Sequence, residues 1–204
     1  MSSRALALLI VGVAAIAGSA LAPPAVRGQG DRALRAPGDF AGIPGPPARS
    51  AALFVEAGKV IQHPRCLNCH PVGNRPSQGT GHPHQPPVER GPDGFGVTAM
   101  RCQTCHQAAN FDPGRVPGHP EWHLAPASMG WQGRTLAEIC AQMKDRARNR
   151  NRSLDEIVEH MSHDTLVGWA WSPGADRAPP PGSQAAFGAL VKAWVDSGAA
   201  CPAR

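Results

Sequence analysis

Cys66-Leu67-Asn68-Cys69-His70 and Cys102-Gln103-Thr104-Cys105-His106 are two copies of one five-residue pattern, and they decide how the rest of the chain is read. Two cysteines separated by two residues and followed at once by histidine form the pattern of c-type haem attachment. The spacing has a mechanical reason. Sulfurs so placed reach the two vinyl groups along one porphyrin edge. The next residue then swings beneath the ring and offers an imidazole nitrogen to the iron. The sequence therefore implies two covalently attached haem c groups, with Cys66, Cys69, Cys102 and Cys105 as attachment points. His70 and His106 are the corresponding axial iron ligands.

Other uses of paired cysteines fit less well. Zinc ribbons set their pairs ~15–20 residues apart, whereas the interval from Cys69 to Cys102 is longer. Zinc also has no need of a histidine behind each second cysteine. A redox dithiol needs a single copy beside a βαβ pattern, and no such pattern is present. The remaining cysteines, Cys140 and Cys201, have no histidine in register. In an oxidising compartment such a pair bonds to itself; two buried free thiols are the alternative.

The N-terminus points to that compartment. Arg4 precedes an apolar run from Ala5 to Ala17, and Gly18, Ser19 and Ala20 follow it. These are the parts of a secretory signal peptide, here residues 1–28 with cleavage between 20 and 30. Pro23 and Pro24 cut the apolar run short of the ~20 residues a membrane span requires. An uncleaved segment anchoring the chain to a membrane is the other reading. Export places the mature protein in the periplasm. Residues 29–50 hold many Pro and Gly with little apolar periodicity and read as a flexible or surface-hugging arm. Residues 51–204 form one domain of ordinary size.

The net charge of +5 excludes little. Loss of a signal ending near Gly28 removes Arg4 and Arg27 and no acid, leaving +3, and four haem propionates would bring the total to about −1. No clustered Lys/Arg face of the kind that binds nucleic acid is visible, and nucleic acid is excluded as a partner.

Helical periodicity appears in four places. Leu53, Phe54, Ala57, Val60 and Ile61 mark a helix that delivers Cys66 to the haem edge, and His63-Pro64 ends it. Thr135-x-x-Glu138 and Ser153-x-x-Glu156 are capping boxes. They open helices with Leu136, Ile139, Cys140 and Met143 on one face, and Leu154, Ile157, Val158 and Met161 on the other's. Phe187, Leu190, Val191, Trp194 and Val195 mark a last helix, with Gly198 as its C-cap and Cys201 in reach of Cys140. Residues 71–134 hold ten prolines and ten glycines in 64 positions. So long a loop is unusual inside a domain, but two haems offer flat apolar surfaces for loops to wrap. The expected fold class is mostly α and loop-rich, about four helices around covalently bound haems.

The opposite axial position governs potential and reactivity. Candidates for it are His63, His82, His84, His119, His123, His160, His163, Met100 and Met129. His84, in a Gly/Pro-rich segment, is expected over the first haem. His123, with Trp122 beside it to pack on a ring, is expected at the second. Met129 competes there by its spacing. His63 lies too near Cys66 to reach the far face of its own haem and is left for the other. His160 and His163, off the apolar stripe of their helix, read as surface or supporting residues. At least one haem is expected to be bis-histidine. Trp122, Trp131, Trp169 and Trp171 read as packing more readily than as an electron exit.

The duplicated motif resembles dihaem c-type cytochromes in general. The stretch from Trp122 to Pro202 extends the likeness through WHLAP, MGWQG, ICAQMKD, HDTLVGWAWSPG and Cys201-Pro202. It resembles small exported bacterial cytochromes that serve as subunits of isoquinoline 1-oxidoreductase-like molybdenum hydroxylases. The resemblance implies a non-catalytic subunit that accepts electrons from such a hydroxylase and passes them to a downstream cytochrome or oxidase. The chain has no molybdopterin or iron–sulfur cysteine set of its own. The leading expectation is therefore periplasmic electron transfer without catalysis. The alternative is a dihaem peroxidase-like enzyme with one open iron and Glu89, Asp93 or Glu121 beside it. A haem-based sensor is the third class, and no output domain supports it.

Overall fold

The computed structural model describes residues 33–175 and 177–203. The expected signal peptide and the first residues of the arm lie outside that range. No helix among the described residues is long and apolar enough to cross a membrane.

Phe187, Leu190, Val191 and Trp194 line one face of α6 (Gln184–Asp196), and all four are buried. That face packs against α1 (Pro46–Ile61) and α4 (Leu154–His163), so α6 is the central element of the helical core. Helix α1 contributes Leu53, Phe54, Ala57, Val60 and Ile61, the stripe read from its sequence. Phe54 meets Trp194 with ring centroids 4.9 Å apart. Helix α4 adds Ile157 and Met161, and α3 (Leu136–Lys144) adds Ile139, Cys140 and Met143. Two short helices, α2 (Pro64–Leu67) and α5 (Thr165–Gly168), complete the helical set. The protein is mostly helical with little sheet.

Both expected capping boxes form. The Thr135 and Ser153 hydroxyls accept from the backbone N–H of Glu138 and Glu156, whose carboxylates return the bond to the cap N–H. Each such cap contributes about 1 kcal/mol. At the other end of α6, Gly198 N–H donates to Val195 O and Ala199 N–H to Trp194 O, a Schellman ending that needs the positive φ of Gly198. The turn aims Cys201 back at α3, where it is bonded to Cys140 with the two Cα atoms 5.7 Å apart. Helices α4 and α6 cross closely at Gly188, where an added Cβ would collide with the Ser162 hydroxyl.

Residues 33–50 are held against the domain. Pro37–Phe40 form a 3-10 turn, Phe40 is 2% exposed within the core, and α1 begins at Pro46, inside the expected arm. Proline is favoured in a first helical turn because its missing N–H would be unpaired there anyway. A Pro-rich stretch thus starts a helix here.

Between α2 and α3 the chain has only two antiparallel ribbons, of two residues per strand. They are β1 (Ser77–Gln78) with β2 (His82–Pro83), and β3 (Gly96–Val97) with β4 (Met100–Arg101). The rest of 71–134 is turn and loop, with the first motif just before it and the second at its middle.

Candidate functional site

The first motif rides on α2. Pro64 opens that helix, and the His63 ring accepts the Arg65 backbone N–H at Nδ1 as its cap. The turn continues through Cys69 N–H and His70 N–H, both donating to Cys66 O, which places the two sulfurs and the imidazole on one winding of chain. The second motif repeats this on a 3-10 turn, Cys102–Thr104, with Cys105 N–H and His106 N–H donating to Cys102 O. All four motif cysteines are free thiols, whereas the other two are bonded to each other.

The motifs are neighbours. Cys102 N–H donates to Phe95 O, Leu124 N–H to Gly94 O, and Ala125 N–H to Cys69 O. Three backbone bonds therefore run from one motif to the other. The crossing needs glycine at 94, because a Cβ there would sit 2.8 Å from Leu124 O. Arg90 locks the same junction. It is 6% exposed, and its guanidinium donates to the carbonyls of Ala125, Pro71 and Gly73. Sequence reasoning missed this residue; a lone arginine in a Gly/Pro loop carries no local pattern to mark it.

His70 and His106 share one arrangement. His70 Nδ1–H donates to Met129 O at 2.8 Å and His106 Nδ1–H to Pro117 O at 2.7 Å. A carbonyl can only accept, so the proton lies on Nδ1 and the Nε2 lone pair is left free. This is the way metal-bound imidazoles are oriented in proteins. An indole covers each ring: Trp131 lies on His70 at 3.4 Å between centroids, and Trp122 on His106 at 4.6 Å. Trp169 meets Trp122 edge-on at 4.7 Å, with its Nε1–H on Asn110 Oδ1. Trp171 stays in the helical core beside Phe187.

Burial and nearby charge keep these groups neutral. Burial pushes His70 down to about 3, with His160 and Arg90 adding to the effect and the Met129 carbonyl opposing it. His106 is lowered for the same first reason, with His84 and Arg177 contributing. Burial pushes the Cys66 thiol up to about 12 and that of Cys69 up to about 11, and it also raises Cys102. Reactive dithiols have lowered thiol pKa values, so these shifts oppose dithiol redox chemistry. Among the described residues no group of three or more His, Cys, Asp or Glu side chains gathers as a metal cage.

The remaining candidates separate by which ring nitrogen is engaged. His63 Nδ1 accepts from Arg65 N–H and His119 Nδ1 from Glu121 N–H. Both neutral rings therefore carry their proton on Nε2, and His119 Nε2–H is spent on the Thr165 hydroxyl. His82 Nε2 is paired with Thr80 Oγ1. His84, His123, His160 and His163 instead donate from Nδ1, to Pro86 O, Glu121 O, Asp164 and Glu159 respectively. Of these, His84 stands against His106 of the second motif, not over the first. His123 stacks on Phe95 at 4.7 Å. His163 is solvent-exposed, whereas His160 is half-buried and near enough to His70 for its charge to act there. Met129 lies with the first motif, its carbonyl on His70 and its side chain in the helical core. Met100 is exposed on β4.

Comparison with family models, with curated proteins and with solved structures finds no match to this chain. The case for function therefore stands on the site alone. Its residues fit two tethered porphyrins: paired free thiols on one turn, an oriented neutral imidazole beside each pair, and a loop scaffold between them.

Proposed function

We propose that this chain is an exported dihaem c-type cytochrome that transfers electrons in the periplasm and is not itself a catalyst. Cys66 and Cys69 would tether one haem and Cys102 and Cys105 the other, with His70 and His106 as axial ligands. The observation that supports the reading is the repeated unit, in which each histidine donates Nδ1–H to a carbonyl and Nε2 has no protein partner. When bound, haem supplies a one-electron couple whose potential follows axial ligand, burial and hydrogen bonding. The chain's own part is to hold the groups. The Met129 and Pro117 carbonyls orient the imidazoles, the indoles of Trp131 and Trp122 exclude water from them, and the Arg90 junction keeps the two motifs side by side. A molybdenum hydroxylase-like oxidoreductase is the donor suggested by the resemblance, with a downstream cytochrome or oxidase as acceptor.

Production in a host with a c-type maturation system tests this. The purified protein is expected to be red, to keep its colour after acid–acetone extraction, and to carry two haem masses. Colourless protein overturns the proposal.

A further inference from the structure

We propose that His84 is the second axial ligand of the iron held by His106, making that haem bis-histidine. The inference rests on the covalent attachment proposed above and extends it. The two imidazoles lie with ring centroids 5.9 Å apart and planes at 65°, and no hydrogen bond joins them. Each gives Nδ1–H to a backbone carbonyl, Pro86 O for His84 and Pro117 O for His106. Two half-buried rings are thus held beside each other, with neither Nε2 hydrogen-bonded to the protein. Side by side without a donor, the two nitrogens gain nothing from each other. A shared metal would engage both. A metal–imidazole bond is about 2 Å, and two in line, with ~1 Å from each nitrogen to its ring centre, set centroids about 6 Å apart.

The backbone around His84 is built to hold that ring still. It follows the ribbon of β1 and β2, with His84 N–H on Pro76 O and Gln85 N–H on the Gln78 side chain. The ribbon is in turn pinned to the first motif. The Asn68 side chain donates to Gly79 O and accepts from Ser77 Oγ, Arg65 also donates to Gly79 O, and Gln132 Nε2 donates to Ser77 Oγ. The first motif's helix therefore positions a ligand for the second motif's iron. Of the other candidates for that iron, His123 stacks on Phe95, the Met129 carbonyl accepts from His70, and His63 Nδ1 accepts from Arg65 N–H.

The test compares matured full-length protein with His84→Ala, His84→Met and His123→Ala, after haem content has confirmed two haems in each. Electron paramagnetic resonance of the ferric proteins and carbon monoxide titration of the ferrous proteins are the readouts. His84→Ala is expected to convert one of two irons to high spin and to bind one further equivalent of carbon monoxide, and added imidazole should reverse both. His84→Met should keep that iron low-spin and raise its midpoint potential, since methionine ligation does so. His123→Ala should leave that iron unchanged. A two-haem His84→Ala protein with wild-type spin states and carbon monoxide stoichiometry overturns the assignment while leaving attachment intact. So does a two-haem His84→Met protein with both potentials unaltered. Wild-type protein without haem overturns the attachment itself.

Discussion

The helical part of the molecule and the segment from Pro71 to Arg134 are held together by different forces. In the first, α1, α3, α4 and α6 bury contiguous apolar faces, and a disulfide closes the C-terminus onto α3. In the second, the buried apolar side chains are Pro71, Leu124, Met129 and Trp131, and the work passes to polar groups reaching backbone carbonyls. Arg90, Asn68, Gln132 and Asn110 each bind main chain or bridge loops in this way. Such bonds contribute only about 1 kcal/mol net each, more when the donor is charged. They fix a path without supplying the driving force that apolar burial gives the helices. The first motif ends just before this segment and the second lies at its middle. Perturbations should therefore separate the two parts.

The largest effect is expected at the centre of the helical core. Trp194→Ala removes a fully buried indole and its bond to Ala200 O, and should cost about 5 kcal/mol by global chemical denaturation. An unchanged midpoint would mean that α6 is not the common support. Next, the Cys140–Cys201 bond spans 61 residues of chain, and its removal by the double alanine variant should cost about 4 kcal/mol in the chain-entropy account. The backbone bonds that join the two motifs should survive both changes wherever the protein still folds, read as hydrogen-exchange protection of the Cys102, Leu124 and Ala125 amides. Arg90→Gln is expected to show the reverse. It should lower protection of the Cys102, Leu124 and Ala125 amides by about 3 kcal/mol in hydrogen exchange, while amides of α6 keep theirs. Loss of protection spread evenly through both parts would erase the distinction drawn above.

The smallest effect is one of pH. The hydrogen bond from His160, with the N–H groups of Leu166 and Val167, holds Asp164 well below the ordinary carboxylate value of 3.8, against the opposing pull of burial. A carboxyl whose native pKa is depressed stabilises the fold above its ordinary pKa, and that contribution is lost as pH falls below it. Acid titration of stability should thus show a falling limb below about pH 4 that Asp164→Asn flattens. An identical limb in the variant would show that this group does not couple the α4–α5 corner to folding.

Much of the helical part is legible in the sequence. Capping boxes at Thr135 and Ser153 and the apolar stripes of α1, α3, α4 and α6 are short-range patterns, and each describes its own element. The arm is less so. Its prolines suggest loop, yet proline also suits a first helical turn, and Phe40 finds a core formed by residues far along the chain. In 71–134 the glycines announce turns but not their purpose. At Gly94 the reason is the passage of Leu124 close by, which no window of local sequence contains.

The sequence by itself determined the local form of the two motifs, because a five-residue unit contains all its parts within one turn of chain. It also determined which cysteines stand outside them. The tertiary structure alone decided the pairing: His84 with His106 and not with the first motif, Met129 on the His70 side, and Arg90 across the junction. Those contacts join residues distant in the chain, and their geometry depends on how loops without periodicity are pinned to their neighbours. Residue spacing carries no record of that.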